Sequence, residues 1–283
     1  MKIKLECPYD FMDQNIIKNL ELSNDPECLI VNPGVDKFLD QNYFTQFPNL
    51  KVVGTPSTGV NHMDTDYLKN NNIKYFCLLD DREGLESITA SAEFTWLHIM
   101  NSLRKFSQSL THVNNWRESN NESLLRSNEL SGKKLGVIGF GRIGRKLKKY
   151  ADAFDVDFKF YDPYVEGGCT DILSINCYLT TETTNLITEG FLDNFKKPLI
   201  VVNTSRGEVV DENYVSKLIQ NQDIFYSCDV LCNEQDINQL KENTPLLQMN
   251  LDYDNLIITP HVAGCTIESQ EKALKTILKL CMK

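Results

Sequence analysis

A glycine-rich segment, Gly139-Phe140-Gly141-Arg142-Ile143-Gly144, limits what this chain can fold into more than any other feature. It follows a predicted strand at residues 135–138 and opens a predicted helix that extends to residue 150. Gly139 permits a tight turn, Gly141 lets the backbone approach a pyrophosphate, and Gly144 lets the helix pack close to the strand. The free N–H groups of such a helix start bind phosphate. The segment therefore predicts a dinucleotide-binding βαβ unit, with a ligand-free strand–helix turn as the alternative.

An acidic residue, Asp162, stands at the end of the next predicted strand, residues 158–161. Its carboxylate can accept hydrogen bonds from both ribose hydroxyls, and it would repel a 2′-phosphate. We therefore predict NAD rather than NADP as the cofactor. The helix after the glycines is rich in Lys and Arg, and of these we expect Arg142 to lie near the phosphates.

Short apolar runs alternate with helical stretches along the whole chain, which indicates parallel sheets in an α/β layer fold. We predict two Rossmann-like or flavodoxin-like domains. A cofactor domain at residues 102–262 is inserted into a substrate domain formed by residues 1–101 plus 263–283. A long helix at residues 91–105 and a polar, Asn-rich arm at residues 111–128 connect them. The predicted strands are residues 2–5, 28–31, 51–54, 74–78, 135–138, 158–161, 172–177, 199–203, 224–230 and 256–259.

The composition argues against several classes of protein. The 283 residues carry 39 acidic and 29 basic side chains, a formal net charge of -10, and no basic tail, so we expect no nucleic-acid partner. No apolar run approaches the ~20 residues of a membrane-spanning helix, and the N-terminus has no apolar signal core. The nine cysteines and four histidines form no C-x-x-C pair and no metal-ligand spacing. We therefore expect reduced thiols, a cytoplasmic location and no metal.

Three chemically active side chains, Arg206, Glu234 and His261, each come shortly after an apolar strand. The carboxyl ends of parallel strands form the ligand-binding edge of an open sheet, so we expect the three to converge on one cleft. Oxidation of a hydroxyl to a carbonyl needs a base with a pKa near neutral, a cation for a substrate carboxylate and a group that tunes the base. An Arg, a Glu and a His meet these needs.

At these residues the chain resembles the D-2-hydroxyacid dehydrogenase family (D-isomer-specific, phosphoglycerate dehydrogenase-like), from residue 52 through residue 268. Four segments carry the resemblance and occur in the order expected for the family. They are GFGRIG with Asp162, NTSRGEVVDE (203–212), DVLCNE (229–234) and TPHVAGCT (259–266).

The resemblance implies roles for individual residues. His261 would be the general acid/base on the substrate oxygen, and Glu234 would raise its pKa through a hydrogen bond. Arg206 would bind the substrate carboxylate and polarise the carbonyl. The backbone amides of Thr58 and Gly59 would also hold that carboxylate. The cofactor-binding residues would be Gly139, Gly141, Arg142, Ile143, Gly144, Asp162, Tyr178, Thr183, Thr204, Ser205, Asp229 and Gly264, with Asp229 near the nicotinamide carboxamide.

The implied activity is hydride transfer between NAD and a D-2-hydroxy or 2-oxo acid, with a phosphoglycerate-like substrate among the choices. The alternatives are an NAD(H)-sensing, corepressor-like binding protein and a weakly active paralogue. The resemblance also implies a homodimer through residues 93–126, with Trp116 as the candidate anchor. His62, His98 and His112 have no partner recognisable in the sequence, so we expect structural or surface roles for them, although His62 stands in the substrate loop.

The chain departs from the family pattern at two places, and each departure leads to a structural prediction. Only eight residues separate Asp162 from Asp171, which predicts the loss of one crossover helix and a more open adenine side. Asn176-Cys177-Tyr178 replaces the family's His-x-Pro, and Tyr178 is our candidate for stacking on the adenine.

Overall fold

The protein, described here from a computed structural model, folds into two α/β units. The structure describes residues 1–283 except 33, 35–37, 162–169, 235–239, 241–243 and 250–251. Packing groups Met1–Ala90 with Gly264–Lys283 in one unit, and Ser91–Glu234 with the described residues from 240 to 263 in the other. The bounds 1–101 plus 263–283 for the substrate domain and 102–262 for the cofactor domain stay a prediction.

The first unit contains a four-stranded parallel sheet in the order β1-β2-β3-β4. A parallel bridge between Ile3 and Leu22 adds an outer position beside β1. With that position counted as the second, the order becomes 2-1-3-4-5, the flavodoxin-like arrangement. The strands are β1 (Ile3–Leu5), β2 (Cys28–Ile30), β3 (Val52–Gly54) and β4 (Lys74–Phe76).

The helices of this unit are short except the last, which returns from the far end of the sequence. They are α1 (Gln14–Lys18), α2 (Gln41–Phe44), α3 (Thr65–Asn70), α4 (Arg82–Glu86) and α12 (Ile267–Cys281). Helix α12 lies so close to β3 that a β-carbon on Gly54 would stand 2.4 Å from Cγ2 of Ile277 and 2.7 Å from Sγ of Cys281. The glycine therefore lets the C-terminal helix close the core of the first unit.

The second unit contains a six-stranded parallel sheet in the order β10-β9-β8-β7-β5-β6. Strand β5 pairs with both β6 and β7, so the strand order reverses at β5. Ligands bind at such a switch point in doubly wound folds. The strands are β5 (Lys134–Ile138), β6 (Asp157–Tyr161), β7 (Ile172–Ile175), β8 (Leu199–Asn203), β9 (Ile224–Cys228) and β10 (Leu256–Ile258).

The order of this sheet bears on the short link between Asp162 and Asp171. The usual dinucleotide-binding order, 3-2-1-4-5-6, has a further strand outside the second one. Here, within the described part of the chain, β6 is the edge strand and the order is 2-1-3-4-5-6. The predicted loss of a crossover helix concerns residues 162–169, which lie outside the described residues.

Helices cover the sheet and lead into an arm. They are α5 (Ala90–Arg104), α6 (Phe106–Thr111), α7 (Ser119–Leu125), α8 (Arg142–Ala153), α9 (Glu189–Leu192), α10 (Glu212–Gln220) and α11 (Pro245–Met249). Helix α5 packs Trp96, Ile99 and Leu103 against Leu135 and Val137 of β5. The parallel α/β fold and the long helix predicted from the sequence are confirmed. The predicted arm at residues 111–128 differs from a plain linker because it contains α7, and α6 ends at its first residue.

Candidate active site

The glycine segment forms a tight, open-topped turn between β5 and α8. Gly139 has φ +91, which favours glycine, and a β-carbon there would stand 2.7 Å from the backbone nitrogen of Cys177. A β-carbon on Gly144 would stand 2.6 Å from the Gly139 oxygen, so the helix start and the turn touch. Gly141, by contrast, has no described atom within 4 Å of its β-carbon position. The turn therefore leaves space over Gly141, at the N-terminus of α8, where a pyrophosphate fits.

The other predicted cofactor residues differ in their burial and in the part of the chain to which they belong. Asp162 lies outside the described residues. Thr183 is buried and donates to the Tyr178 carbonyl at 2.6 Å, whereas the Tyr178 side chain itself is exposed. Arg142 and Ile143 begin α8. Gly264 belongs by its packing to the first unit.

The turn after β8 presents Arg206. Asn203, fully buried at the end of β8, donates from Nδ2 to the Arg206 carbonyl at 2.9 Å. Its Oδ1 accepts hydrogen bonds from the backbone N–H and the hydroxyl of Ser205, at 3.0 and 2.9 Å. Nη1 of Arg206 donates to the Ser205 carbonyl at 2.6 Å, while Thr204 pairs with Thr95 at 2.6 Å. The predicted cofactor residues Thr204 and Ser205 are thus both held by hydrogen bonds within the protein, to Thr95 and Asn203 respectively.

Glu234 and His261 form the central pair of the site. Nδ1 of His261 lies 2.7 Å from Oε1 of Glu234, and the other carboxylate oxygen accepts from the Leu231 amide at 3.3 Å. The hydrogen bond to Glu234 is the main cause that raises the pKa of His261 above its ordinary 6.5. Burial and the charge of Arg206 oppose the shift, and Asp229 adds to it. The pair thus keeps the imidazole protonated to higher pH, with Nε2 left for a substrate.

Asp229 holds the turn that carries His261. Its carboxylate is buried and accepts three hydrogen bonds, from the Thr259 hydroxyl at 2.5 Å and from the amides of Val262 and Ala263 at 3.0 and 2.7 Å. His261 has φ +53, a left-handed conformation that costs a residue with a β-carbon of order 1–3 kcal/mol. Hydrogen bonds on both sides of His261 maintain that conformation. Asp229, predicted to lie near the nicotinamide, shapes the turn that carries His261.

The loop after β3 carries the predicted carboxylate-binding residues of the first unit. The Ser57 hydroxyl donates to the Gly59 carbonyl at 2.6 Å, and Thr55 bridges Ser57 and Nε2 of His62 at 3.2 and 3.0 Å. No described residue accepts a hydrogen bond from the amides of Thr58 or Gly59. Both amides are therefore free to bind an anion.

Sequence reasoning missed two residues that shape the site, Asn203 and His98. Asn203 organises the Arg206 turn, and a polar residue that ends an apolar strand was the available signal. His98, predicted to lack partners, is buried and contacts both Ser227 and Thr259. The sequence contains only a weak sign of this role, a polar side chain between Leu97 and Ile99 on an apolar helix.

Comparison with known proteins identifies the family. Residues 96–263 match the family described as D-isomer specific 2-hydroxyacid dehydrogenase, NAD binding domain. The chain belongs to this family. The cofactor of this dehydrogenase-family chain is therefore NAD, and the open space over Gly141 fits its pyrophosphate. The first turn of α8 would hold the phosphates.

Individual relatives of this dehydrogenase family carry different names. The chain is 30% identical over 280 residues to the glyoxylate reductase of Thermofilum pendens, covering 92% of this chain and 77% of that protein. It is 28% identical over 247 residues to the D-3-phosphoglycerate dehydrogenase of Haemophilus influenzae, covering 79% of this chain but 56% of that protein. The crystal structure of Aquifex aeolicus D-lactate dehydrogenase with NAD and lactic acid is 25% identical, with a TM-score of 0.75 and coverage of 99% and 94%.

Neither a metal site nor a membrane-spanning helix occurs in the described ranges. No three His, Cys, Asp or Glu side chains there could hold a metal ion. No helix in the described ranges is both long enough and apolar enough to cross a membrane.

Proposed function

We propose that this chain catalyses the reversible reduction of a 2-oxo acid to a D-2-hydroxy acid with NADH. The 2.7 Å contact between Nδ1 of His261 and Oε1 of Glu234 carries the proposal, because it directs the second imidazole nitrogen toward other partners and stabilises its protonated form. The family membership supplies the reaction class. When bound, NADH would supply the hydride to the substrate C2, and in the reverse direction NAD would accept it.

Each residue of the candidate site would have its own role in the reaction. In reduction, Nε2 of His261 donates its proton to the substrate carbonyl oxygen, which becomes the hydroxyl. Glu234 stabilises the positive imidazolium before the transfer, and in oxidation the neutral ring takes the proton back. Arg206 binds the substrate carboxylate with its planar guanidinium, which suits a carboxylate better than a Lys would. The free amides of Thr58 and Gly59, in the first unit, are separate candidates for binding an anion.

For the substrate we propose a short 2-oxo acid, with a 3-phosphorylated, phosphoglycerate-like one as the alternative within the class. The names of the relatives support both, since a glyoxylate reductase and a D-3-phosphoglycerate dehydrogenase each match. The test follows NADH oxidation by the purified protein with glyoxylate, pyruvate, hydroxypyruvate and 3-phosphohydroxypyruvate. Turnover of one or more, lost in His261→Gln while NADH still binds, is the expected result.

Binding of NADH without reduction of any 2-oxo acid would contradict the proposal. If NADH binds tightly but none of these acids, nor longer 2-oxo acids, is reduced, the protein is an NAD(H)-binding protein without this activity. The NAD(H)-sensing alternative then replaces the enzyme.

We also propose that the chain forms a homodimer and acts in the cytoplasm. Residues 106–124, within the predicted dimer contact at 93–126, expose several large apolar side chains, and their exposure to water is unfavourable. They are Phe106, Leu110, Val113, Trp116 and Leu124. Sedimentation should give a dimer that Trp116→Ser weakens; a monomer at all concentrations contradicts this part of the proposal.

A further inference from the structure

His98 is a buried, titratable side chain that the proposed reaction does not use. It lies on α5 with 2% of its surface exposed. Nδ1 lies 2.7 Å from the Ser227 hydroxyl on β9, and Nε2 lies 3.1 Å from the Thr259 hydroxyl just past β10. One imidazole therefore links a helix to two neighbouring strands at the edge of the sheet that bears the site. A buried apolar side chain of similar size would fill the same space without making either bond.

The direction of each hydrogen bond follows from its partners. The carboxyl oxygens of Asp229 accept from the amides of Val262 and Ala263, and the Thr259 hydroxyl donates to the same group at 2.5 Å. The Thr259 oxygen must then accept from His98, which places the His98 proton on Nε2. Nδ1 of the neutral ring is left to accept from the Ser227 hydroxyl. Burial lowers the pKa of His98, although the negative charge of Asp229 opposes the shift, and the neutral form suits this arrangement.

The same hydrogen-bonded series ends at the catalytic turn. Asp229 accepts from the amides of Val262 and Ala263, the two residues after His261. On the other side, the Thr259 amide donates to the Cys228 carbonyl at 2.9 Å. His261 thus lies between two anchored points, in a left-handed conformation that needs such support.

We propose that His98 is a positioning residue that aims His261 at Glu234 by orienting Thr259 and Asp229 through its Nε2–H. The inference rests on the proposed function, because it concerns the acid/base of that reaction. His98 touches neither substrate nor cofactor in this scheme. Its donor atom, rather than its bulk, is what the catalytic turn requires.

Two substitutions separate the donor from the bulk. His98→Leu fills the space without a donor, and removes the bonds that the imidazole makes to the hydroxyls of Ser227 and Thr259. His98→Gln keeps an N–H close to the position of Nε2. We expect His98→Leu to lower kcat by ~10- to ~100-fold, since a small misplacement of a catalytic group has effects of that order. We expect His98→Gln to recover most of the loss, with NADH affinity unchanged in both.

A spectroscopic readout makes the test independent of turnover. The His261 imidazole is titrated by NMR, with its signal assigned by its loss in His261→Gln. In His98→Leu the pKa of His261 should fall toward 6.5, because the ring no longer holds its hydrogen bond to Glu234, whereas His98→Gln should keep the raised value. Ser102→Ala is the matched control: Ser102 is buried on α5 and donates to the His98 carbonyl at 2.8 Å, without touching Thr259. It should alter neither kcat nor the pKa of His261.

The outcomes distinguish the two proposals. Equal losses of kcat in His98→Leu and His98→Gln, with the pKa of His261 unmoved, would show that His98 only fills the core, and would overturn the inference. If the wild type reduces no 2-oxo acid, the proposed function fails, yet the NMR titration still decides whether His98 orients His261. If His98→Leu does not fold, Thr259→Val against Thr259→Ser removes or keeps the intervening hydroxyl, and the same two results apply.

Discussion

Gly207 lies against the backbone of Leu231 so closely that a β-carbon at position 207 would stand 2.0 Å from the Leu231 carbonyl carbon. The nitrogen of Cys232 would be 2.2 Å away. Gly207 directly follows Arg206, and Leu231 donates its amide to Glu234. The close approach therefore fixes the turn of the proposed carboxylate-binding residue to the loop of the residue that tunes His261. Because both neighbours are backbone, neither can move aside as a side chain would.

The first prediction tests this approach. Gly207→Ala should lower the free energy of unfolding by about 3 kcal/mol or more, at the upper end for overpacking, because the clash is with backbone. Urea unfolding measures the change. Gly190→Ala is the control, since Gly190 lies in α9 with no described atom within 4 Å of its β-carbon position. A Gly207→Ala protein as stable as the control would contradict the close approach.

The second prediction concerns the pH dependence of the reaction. Reduction requires protonated His261, so kcat/KM should be constant below the pKa of His261 and fall above it. Glu234 raises that pKa above 6.5. Glu234→Gln removes the charge that stabilises the imidazolium, so the falling limb should move to lower pH. In the oxidation direction the rising limb should move the same way, because that reaction needs the neutral ring.

The control for this measurement removes a different carboxylate of the same unit. Asp152→Asn breaks a surface ion pair with Lys148 on α8 and should leave the profile in place. An identical profile for Glu234→Gln and the wild type would remove Glu234 from its proposed role, since the 2.7 Å contact would then have no effect on His261.

The third prediction separates charge from shape at Arg206. Arg206→Lys keeps the positive charge but loses the planar fork that binds a carboxylate through two parallel bonds. We expect kcat/KM for the 2-oxo acid to fall by ~10- to ~100-fold, the scale of a lost charge-assisted hydrogen bond, while NADH affinity stays the same. Arg82→Lys, on an exposed position of α4, should change neither quantity. Full activity of Arg206→Lys would mean that Arg206 acts only as a distant charge.

Features that depend on residues close together in the chain could be predicted from the sequence. The strands, the glycine turn and the positions of Arg206, Glu234 and His261 follow from patterns within a few residues, because hydrophobic period and turn chemistry are local. The helix α7 was hidden by the polar, Asn-rich composition of the arm, which is typical of a linker.

The role of His98 could not be predicted, for a physical reason. Its partners Ser227 and Thr259 come more than a hundred residues later in the chain and meet it only because α5 packs on the ends of β9 and β10. The same holds for Asp229, whose three hydrogen bonds to the His261 turn depend on the pairing of β9 with β10. Sequence spacing gives no sign of which residues two strands will bring together.

The last prediction uses two glycines of the same turn. Gly144→Ala should disturb both folding and cofactor binding, because its β-carbon would stand 2.6 Å from the Gly139 oxygen. Gly141→Ala should leave folding intact, since Gly141 has a φ of -81 and no described atom near its β-carbon position. The methyl group would instead occupy the space in which we expect the pyrophosphate. Thermal unfolding without cofactor and NADH titration by fluorescence together measure the two effects.

The prediction is decided by comparing the Tm and the NADH affinity of these variants. Gly144→Ala should lower both the Tm and the NADH affinity, whereas Gly141→Ala should lower the NADH affinity alone, with Gly190→Ala as the control that lowers neither. Gly141→Ala therefore isolates the cofactor from the fold. If it binds NADH as tightly as the wild type, the pyrophosphate does not lie over Gly141, and the cofactor must be held by a different part of the β5–α8 turn.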